Sequence, residues 1–268
     1  MQCKRKFTLT LETESQQITP KQSVMSKQLL IYERVSPVSK EQHGNYSVQS
    51  GSDYSFAKEL NAIPLMAVEF PMAVHDYAIV FTGNIENNTL MPAVIVGLEP
   101  KNLYVTATGE WNAKYVPAFI RQYPFVFAST NAGQTLTLCI DEEFSGCNQD
   151  GQGERLFGDD GEPTAYLQSR LEFLKEYQTQ IKRTQLFCQH LNELGLLEPL
   201  RANLTLPSGE TAALQGFLGI SREKVKALTG EQLAQLAASD ELELIYLHLQ
   251  AMRNFGEMRD RLPQPVAA

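Results

Sequence analysis

The sequence predicts an α+β fold, with short, mostly antiparallel strands in the N-terminal half, a long helix and a helical C-terminal part. Short apolar segments alternate with Gly, Pro and Asn between residues 64 and 140. This pattern favours antiparallel strands over repeated β–α–β units. Apolar residues then recur at helical spacing from Leu167 to Leu194. Capping patterns at Thr229 and Asp240 predict further helices near the C-terminus.

The strands are expected where β-branched and aromatic residues lie between turn residues. They are predicted over residues 29–35, 77–81, 93–98, 103–105, 125–129 and 135–140, with a hairpin over 204–206 and 211–214 and a third strand at 216–220. Short helices are predicted over 54–60 and from Pro117 to a point before Pro124. Proline fits the first position of a helix but not its interior.

The long helix is expected to begin at Pro163 and to end at Gly195, which is placed as a C-terminal cap. At about 1.5 Å per residue it would be roughly 50 Å long, so a break near Thr179 or Thr184 is expected. Beyond it, Ser221 is expected to cap a short helix. Capping boxes are predicted for Thr229 with Gln232 and for Asp240 with Glu243.

One large domain accounts for most of the chain. Residues 1–24 are polar and without sustained periodicity, which predicts a flexible tail. Residues 25–262 are predicted to form a single α+β domain, and the acidic, Gly-rich loop at 141–162 is where a subdivision would fall. Residues 263–268 are expected to be a frayed tail.

Composition and charge argue against several classes of protein. The formal net charge is −8 and the basic residues are scattered, so no nucleic-acid-binding face is expected. The longest apolar run, from Met91 to Leu98, is too short to span a membrane. The basic N-terminus lacks the apolar core of a secretion signal. A cytoplasmic location is therefore expected, and the four cysteines fit a reducing compartment.

The motifs of common catalytic sites do not occur in the sequence. There is no phosphate-binding loop, no dinucleotide-binding glycine pattern and no Gly-x-Ser-x-Gly elbow. No His-x-Asp or His-x-Glu pair starts a non-haem iron site. No metal or cofactor is predicted, and the catalytic residues, if the protein has any, stay unknown.

The candidate site centres on the aromatic block at 109–127 and on Glu69. Glu69 lies in an apolar segment, and a buried carboxylate is costly unless it is paired. Arg121, inside the block, has the opposite charge. The two residues either form a structural pair, which is the favoured interpretation, or line an aromatic-walled pocket for a polar ligand. The candidate ligand- or partner-binding residues are Glu69, Trp111, Tyr115, Arg121, Tyr123, His43 and His75.

Three segments carry a family likeness. They are PLMAVEFP at 64–71, YAIVFT at 77–82, and the block from Gly109 to Phe125 with its Trp, Tyr, Pro, Arg, Tyr, Pro and Phe. They resemble the SapC family of bacterial proteins, and the likeness runs from about Met25 to Arg261. The resemblance implies an association with surface layers. It also implies genes beside TonB-dependent receptors, flavin-dependent tryptophan-halogenase-like proteins and iron/2-oxoglutarate hydroxylase-like proteins. It supplies no catalytic residues.

Three functions follow as hypotheses. The first is a cytoplasmic, non-enzymatic accessory or binding protein. Its partner would be a protein or peptide, such as a halogenase-like or 2-oxoglutarate hydroxylase-like enzyme, or a component of a surface-layer system. The second is an enzyme with a site assembled from His43, Glu69, His75 and Arg121. The third is a structural subunit of a surface layer.

Overall fold

The computed structural model describes residues 31–262, except for residues 52, 88, 131–134 and 206–210. The predicted tails at 1–24 and 263–268 lie outside the described residues. The helices within this range are α1 (Lys40–His43), α2 (Phe70–Ala73), α3 (Ala118–Arg121), α4 (Ala165–Glu193), α5 (Arg222–Lys226), α6 (Gly230–Ala238), α7 (Glu241–Ala251) and α8 (Asn254–Asp260). Two short 3₁₀ helices cover Ser55–Ala57 and Ala67–Glu69.

The strands form three antiparallel sheets. They are β1 (Val35–Pro37), β2 (Ser47–Val48), β3 (Ala62–Pro64), β4 (Ala78–Thr82), β5 (Met91–Ile95), β6 (Phe125–Thr130), β7 (Thr135–Asp141), β8 (Cys147–Asn148), β9 (Glu154–Arg155), β10 (Leu197–Thr205) and β11 (Thr211–Ile220). The largest sheet has the order β10-β11-β4-β5-β3, and the smaller ones are β1-β7-β6 and β8-β2-β9. The predicted α+β class is confirmed.

The largest sheet is covered on both faces, which explains why β4 is a continuous apolar run. Ile79 and Phe81 point into the main core, where the Phe81 ring lies 6.4 Å from that of Phe187 on α4. Ala78 and Val80 belong to a second cluster with residues of α8. A strand buried on both sides lacks the apolar–polar alternation of a half-exposed one.

Helix α4 is unbroken over 29 residues, so the predicted break near Thr179 or Thr184 is wrong. The Thr184 hydroxyl is buried and accepts a hydrogen bond from the backbone N–H of Ala67 at 2.9 Å. The Thr179 hydroxyl donates to the carbonyl oxygen of Lys175 at 3.1 Å, within the helix itself. Both hydroxyls therefore have partners that leave the helical backbone intact.

The C-terminal hairpin is longer than predicted and joins the N-terminal strands. β11 continues from Thr211 to Ile220, so 216–220 is not a separate strand, and Leu218 pairs with Phe81 of β4. The register shifts between Leu200 and Ala202. Gly216 lies opposite this shift with φ of +93°, which fits a β-bulge that needs glycine.

Several other boundaries differ from the predictions. β1 begins at Val35; residues 31–34 are not a strand, and residues 29–30 lie outside the described chain. Residues 54–60 contain only the short 3₁₀ helix, and 103–105 contributes an isolated bridge between Val105 and Trp111. The acidic segment 141–162 includes β8 and β9, which both pair with β2.

The C-terminal helices begin near the predicted residues. The capping box of Thr229 and Gln232 is present at the start of α6. Asp240 precedes α7 but has a φ of 60° and its side chain does not cap the helix, so the second predicted capping box is wrong. His248 on α7 is fully buried, and its Nε2 accepts a hydrogen bond from the backbone N–H of Ile220 at 2.9 Å. It is a core histidine with a structural partner.

Candidate ligand-binding cleft

The aromatic block places a very short helix beside the segment that carries Glu69. Pro117 precedes α3, as predicted, and the chain enters β6 through a cis Tyr123–Pro124 peptide bond. Gly109 begins the block with φ of +89°, and its carbonyl oxygen accepts a hydrogen bond from the N–H of Tyr54 at 2.7 Å. A Cβ at Gly109 would lie 2.2 Å from Oδ1 of Asp53. Glycine is therefore required where the block meets residues 53–54.

Glu69 is buried, with 4% of its surface exposed, and its carboxylate has three hydrogen-bond donors. Oε1 accepts from the N–H of Ala118 at 2.7 Å and from the Tyr115 hydroxyl at 2.8 Å. Oε2 accepts from the N–H of Met66 at 2.8 Å. Burial raises the pKa of the Glu69 carboxyl, and these hydrogen bonds and the nearby Arg121 oppose that rise. The carboxylate ties α3 to the 3₁₀ helix at 67–69.

Arg121 contacts Glu69 only through Tyr115. The direct Glu69–Arg121 pair of the sequence-based interpretation is not among the ion pairs within 4.0 Å in the described part of the chain. Nη2 of Arg121 donates to the Tyr115 hydroxyl at 3.1 Å, and that hydroxyl donates to Glu69. Burial, followed by the charge of Glu69, raises the pKa of Tyr115 to about 12. The tyrosine hydroxyl thus connects a buried acid to an exposed base.

The exposed side of Arg121 faces a cleft of about 300 Å³, which we call the Arg–aromatic cleft. It lies between the segment 50–56, α3 with the residues after it, and the first half of α4. Its lining residues are Ser50, Gly51, Asp53, Tyr54, Phe56, Ile120, Arg121, Tyr123, Phe144, Arg170 and Phe173.

Two arginines share one aromatic ring at this cleft. The Cζ of Arg121 lies 5.3 Å and that of Arg170 5.8 Å from the centre of the Phe173 ring, distances at which cation–π attraction operates. Neither arginine forms an ion pair with a carboxylate in the described residues. The Nε of Arg170 is buried and has no hydrogen-bond partner among them. Two positive charges therefore line the cleft without an ion-pair partner in the described part of the chain, although Asp53 also lies in the lining, where its Oδ1 accepts a hydrogen bond from the N–H of Ser55.

A wall of three aromatic rings forms another part of the cleft. The rings of Phe56 and Tyr123 are stacked with centres 4.2 Å apart, and Phe144 meets Tyr123 edge-on at 5.1 Å. The Tyr123 hydroxyl donates to the buried Asp141 at 3.1 Å. Asp141 also accepts from two backbone N–H groups of residues 33–34. Tyr123 is therefore held from behind by its hydroxyl, and its ring is presented to the cleft.

Trp111 supports the cleft without lining it. Its Nε1 donates to the Tyr77 hydroxyl at 2.8 Å and to the carbonyl oxygen of Tyr115 at 3.2 Å. Its ring lies 5.5 Å from that of Tyr54, which does line the cleft. Trp111 thus packs behind the Tyr54 part of the lining.

The two histidines of the candidate set lie elsewhere. His43 is buried, and its Nδ1 accepts from the N–H of Ser39 at 3.2 Å, so Nε2 carries the proton and donates to Glu142 at 3.2 Å. The Ser36 hydroxyl lies 3.5 Å from the same Nε2 and donates to Glu142. Because a protonated Nε2 cannot take up the serine proton, this trio is not a nucleophile–base pair. His75 is exposed just after α2.

The hypothesis of an enzyme needed His43, Glu69, His75 and Arg121 in one site. In the described residues, no hydrogen bond or ion pair joins either histidine to Glu69 or Arg121. Glu69 and Arg121 instead share the Tyr115 hydroxyl. The described hydrogen bonds and ion pairs therefore join Glu69 to Arg121 but join neither of them to a histidine.

Sequence reasoning missed the α4 side of the cleft. Arg170 and Phe173 are three residues apart on α4, which places them on one helix face. An arginine and an aromatic residue at this spacing were a readable signal. The prediction of the long helix uses only its apolar residues and so does not include this arginine–aromatic pair. Phe56 and Phe144 carry no such signal, because Phe56 lies in a 3₁₀ helix of three residues and Phe144 between two turns, and neither has a periodic pattern around it.

The described part of the chain offers neither a metal site nor a reactive thiol. Across residues 31–262, gaps excepted, no group of three His, Cys, Asp or Glu side chains is arranged to hold a metal ion. Burial raises the pKa of Cys139 to about 11 and of Cys188 to about 12, as expected for structural thiols.

No helix in the described chain combines the length and the apolar character needed to cross a membrane.

A second cleft, of about 370 Å³, lies between α1 and the segment 155–161. It is larger, but Arg155 in its wall is already paired with Asp159 at 2.6 Å. None of the described residues that line this second cleft has a buried side-chain N or O atom without a hydrogen-bond partner. The Arg–aromatic cleft is therefore the better candidate for a ligand site.

The fold and the cleft define an α+β protein with a charged, aromatic-lined cleft. The family model for SapC matches residues 38–258 of the 268-residue chain. The chain therefore belongs to the SapC family. No curated protein and no solved structure matches it.

Proposed function

We propose that this SapC-family protein is a non-enzymatic accessory protein that binds a protein or peptide partner in the Arg–aromatic cleft. The observation that carries the proposal is the pair of guanidinium groups on Phe173, neither of which has an ion-pair partner among the described residues. The buried Nε of Arg170 is costly to leave without a hydrogen-bond acceptor. An acidic group of a partner would supply that acceptor.

The charge of the whole chain determines how an acidic partner would have to be recognised. The formal net charge is −8, so long-range attraction would not bring an acidic partner to the protein. Recognition of an acid therefore depends on the local positive charge of Arg121 and Arg170. Local complementarity of this kind confers specificity for one orientation of a partner.

The proposed partner is an enzyme that modifies peptides or proteins, of the halogenase-like or 2-oxoglutarate hydroxylase-like type, and the proposed location is the cytoplasm. The choice of partner rests on the genes that the resemblance to the SapC family implies as neighbours, since the family match over residues 38–258 names no partner. The cleft contributes a surface that a segment of such an enzyme, or of its substrate, would occupy.

The proposal is tested by affinity capture from a lysate of the bacterium that produces the protein. The bait is the full chain, compared with Arg121→Gln/Arg170→Gln. The matched control is Arg183→Gln/Arg222→Gln, which removes two exposed arginines outside the cleft. We expect a modifying enzyme to be retained by the wild type and the control and to be lost from the cleft variant. Equal retention by all three proteins, or retention of no such enzyme, would refute the proposal.

A further inference from the structure

The hydrogen-bonding capacity of the two arginines indicates the chemistry of the ligand. Nε of Arg121 donates to the carbonyl oxygen of Val116 at 2.9 Å, and Nη2 donates to Tyr115. The described hydrogen bonds of the Arg121 side chain are these two, which leave Nη1 without an acceptor, and Nε of Arg170 is buried without one. A guanidinium presents its N–H groups in a flat fork that matches the two oxygens of a carboxylate. The arginine end of the cleft is therefore built for a planar anion.

The aromatic side of the cleft indicates what is attached to that anion. The stacked pair of Phe56 and Tyr123, with Phe144 edge-on, offers flat apolar surface within the same lining as the arginines. A flat ring gains attraction beyond its buried area when it stacks on or meets such rings. A purely ionic ligand would leave this surface in water.

The size of the cleft limits the ligand further. About 300 Å³ is at the small end of the usual range for ligand pockets. This space suits a single ring-sized group and not a packed helix. The residues at 50–53 that line the cleft are exposed where they are described, so a chain attached to the ligand can continue into solvent.

From these features we infer that the Arg–aromatic cleft binds an aromatic carboxylate, a flat ring joined to a carboxylate by a few bonds. Arg121 and Arg170 bind the carboxylate, and Phe56, Tyr123 and Phe144 hold the ring. The ligand is either a free aromatic acid or the C-terminal aromatic residue of a peptide, which share this chemistry. The inference rests on the proposed function, since it specifies what the cleft of the accessory protein recognises.

The test is a titration of the protein with small probe molecules, in which tryptophan fluorescence reports binding. Trp111 is the single tryptophan of the chain and contacts Tyr54 of the cleft lining, so its emission reports on occupancy. The probes are N-acetylphenylalanine, its neutral amide, acetate and phenyl phosphate. We expect N-acetylphenylalanine to bind at least about tenfold more tightly than the amide or acetate, which corresponds to one charge-assisted hydrogen bond or one ring contact. Equal binding of the amide or acetate, or tighter binding of phenyl phosphate, would overturn the inference.

Two tetrapeptides that end in phenylalanine, one with a free and one with an amidated C-terminus, distinguish the two sources. Binding of the free-carboxylate peptide at least as tightly as of N-acetylphenylalanine supports a peptide C-terminus. Binding of the small acid alone supports a free aromatic acid. Failure of every carboxylate probe would overturn the inference.

Substitutions distinguish a failure of the ligand assignment from a failure of the proposed function and from loss of the fold. Arg170→Gln is the informative variant, because Nε of Arg170 has no hydrogen-bond partner to lose in the described residues, and its cation–π contacts with Tyr166 and Phe173 are weak enough for the fold to be retained. We expect it to weaken N-acetylphenylalanine binding about tenfold with an unchanged melting temperature. If no small acid binds while partner capture still requires Arg121 and Arg170, the proposed function stands and the ligand assignment fails.

Discussion

Replacement of Glu69 by alanine removes the acceptor of two buried backbone N–H groups and of the Tyr115 hydroxyl. The N–H groups of Met66 and Ala118 lie 2.8 and 2.7 Å from the carboxylate oxygens. Both are inside the core, where water cannot readily replace the carboxylate. The Tyr115 hydroxyl is only partly buried and can turn towards water.

The expected loss of stability follows from these contacts. A buried N–H left without an acceptor costs about 1–3 kcal/mol, so the two backbone groups together predict a loss of about 4 kcal/mol in the free energy of unfolding. A chain of this size loses about 2–4 °C in melting temperature per kcal/mol. The melting temperature of Glu69→Ala should therefore fall by about 8–16 °C.

The measurement is urea unfolding followed by circular dichroism, together with a thermal melt. Glu172→Ala is the matched control, since Glu172 is 70% exposed and its ion pair with Lys175 is on the surface of α4. This control should change stability by about 0.5 kcal/mol or less. If Glu69→Ala unfolds within about 1 kcal/mol of the wild type with an unchanged m value, the two N–H groups do not depend on the carboxylate and the reasoning is wrong.

Three further predictions concern pH and backbone geometry. Burial raises the pKa of the Glu69 carboxyl above its usual 4.5, so the folded state binds the carboxyl proton more tightly than the unfolded state does. Stability is therefore lost as the pH rises from about 4.5 through the raised pKa, and Glu69→Gln should remove that loss. Burial lowers the pKa of His248 from 6.5 to about 4, so stability is lost as pH falls through that window, and His248→Gln should flatten the profile. Gly109→Ala should cost about 1–3 kcal/mol, because alanine is strained at this φ and its Cβ would meet Asp53.

The two pH effects overlap and have opposite signs, so each is measured as a difference from the wild type in urea unfolding at several pH values. If the stability of Glu69→Gln depends on pH as that of the wild type does, the prediction for Glu69 is contradicted. If the stability of His248→Gln does so, the prediction for His248 is contradicted. For Gly109→Ala, Gly230→Ala is the control, since a Cβ there meets nothing within 4 Å. Equal stability of the two glycine variants would contradict the third.

The connection through Tyr115 gives Glu69 a second consequence beyond stability. Its carboxylate holds the Tyr115 hydroxyl, which in turn accepts from Nη2 of Arg121. The orientation of Arg121 at the cleft therefore depends on a residue of the core. Within the proposed function, this arrangement keeps the guanidinium in place before a ligand arrives, which reduces the entropy lost on binding.

Much of the fold could be predicted from the sequence. The α+β class, the strands at 78–82 and 125–130, and the short helix after Pro117 follow from local patterns of apolar residues and prolines. The α4 prediction was right in position because apolar residues recur at helical spacing. The predicted break was wrong because the Thr179 hydroxyl bonds to a carbonyl oxygen within the helix, and the Thr184 hydroxyl has a distant partner, Ala67, that only the folded chain reveals.

Part of the candidate site could also be predicted. A carboxylate in an apolar run has to find donors, so the importance of Glu69 could be read from the sequence. The identity of those donors could not be read, because two of them are backbone N–H groups, which every residue except proline carries. The sequence therefore indicated Arg121 as the direct partner of Glu69, whereas in the structure the Tyr115 hydroxyl lies between the two side chains. The roles of the site residues in binding stay a prediction.

The sequence by itself determined the class of fold, the segment that carries Glu69 and the aromatic block that begins at Gly109. These features depend on neighbours within a few residues, and local spacing records them. Only the tertiary structure decided that Arg170 and Phe173 lie opposite Arg121, and that β11 pairs with β4. Such contacts join residues about 50 or more positions apart, and they arise from the packing of the whole core, which no local pattern encodes.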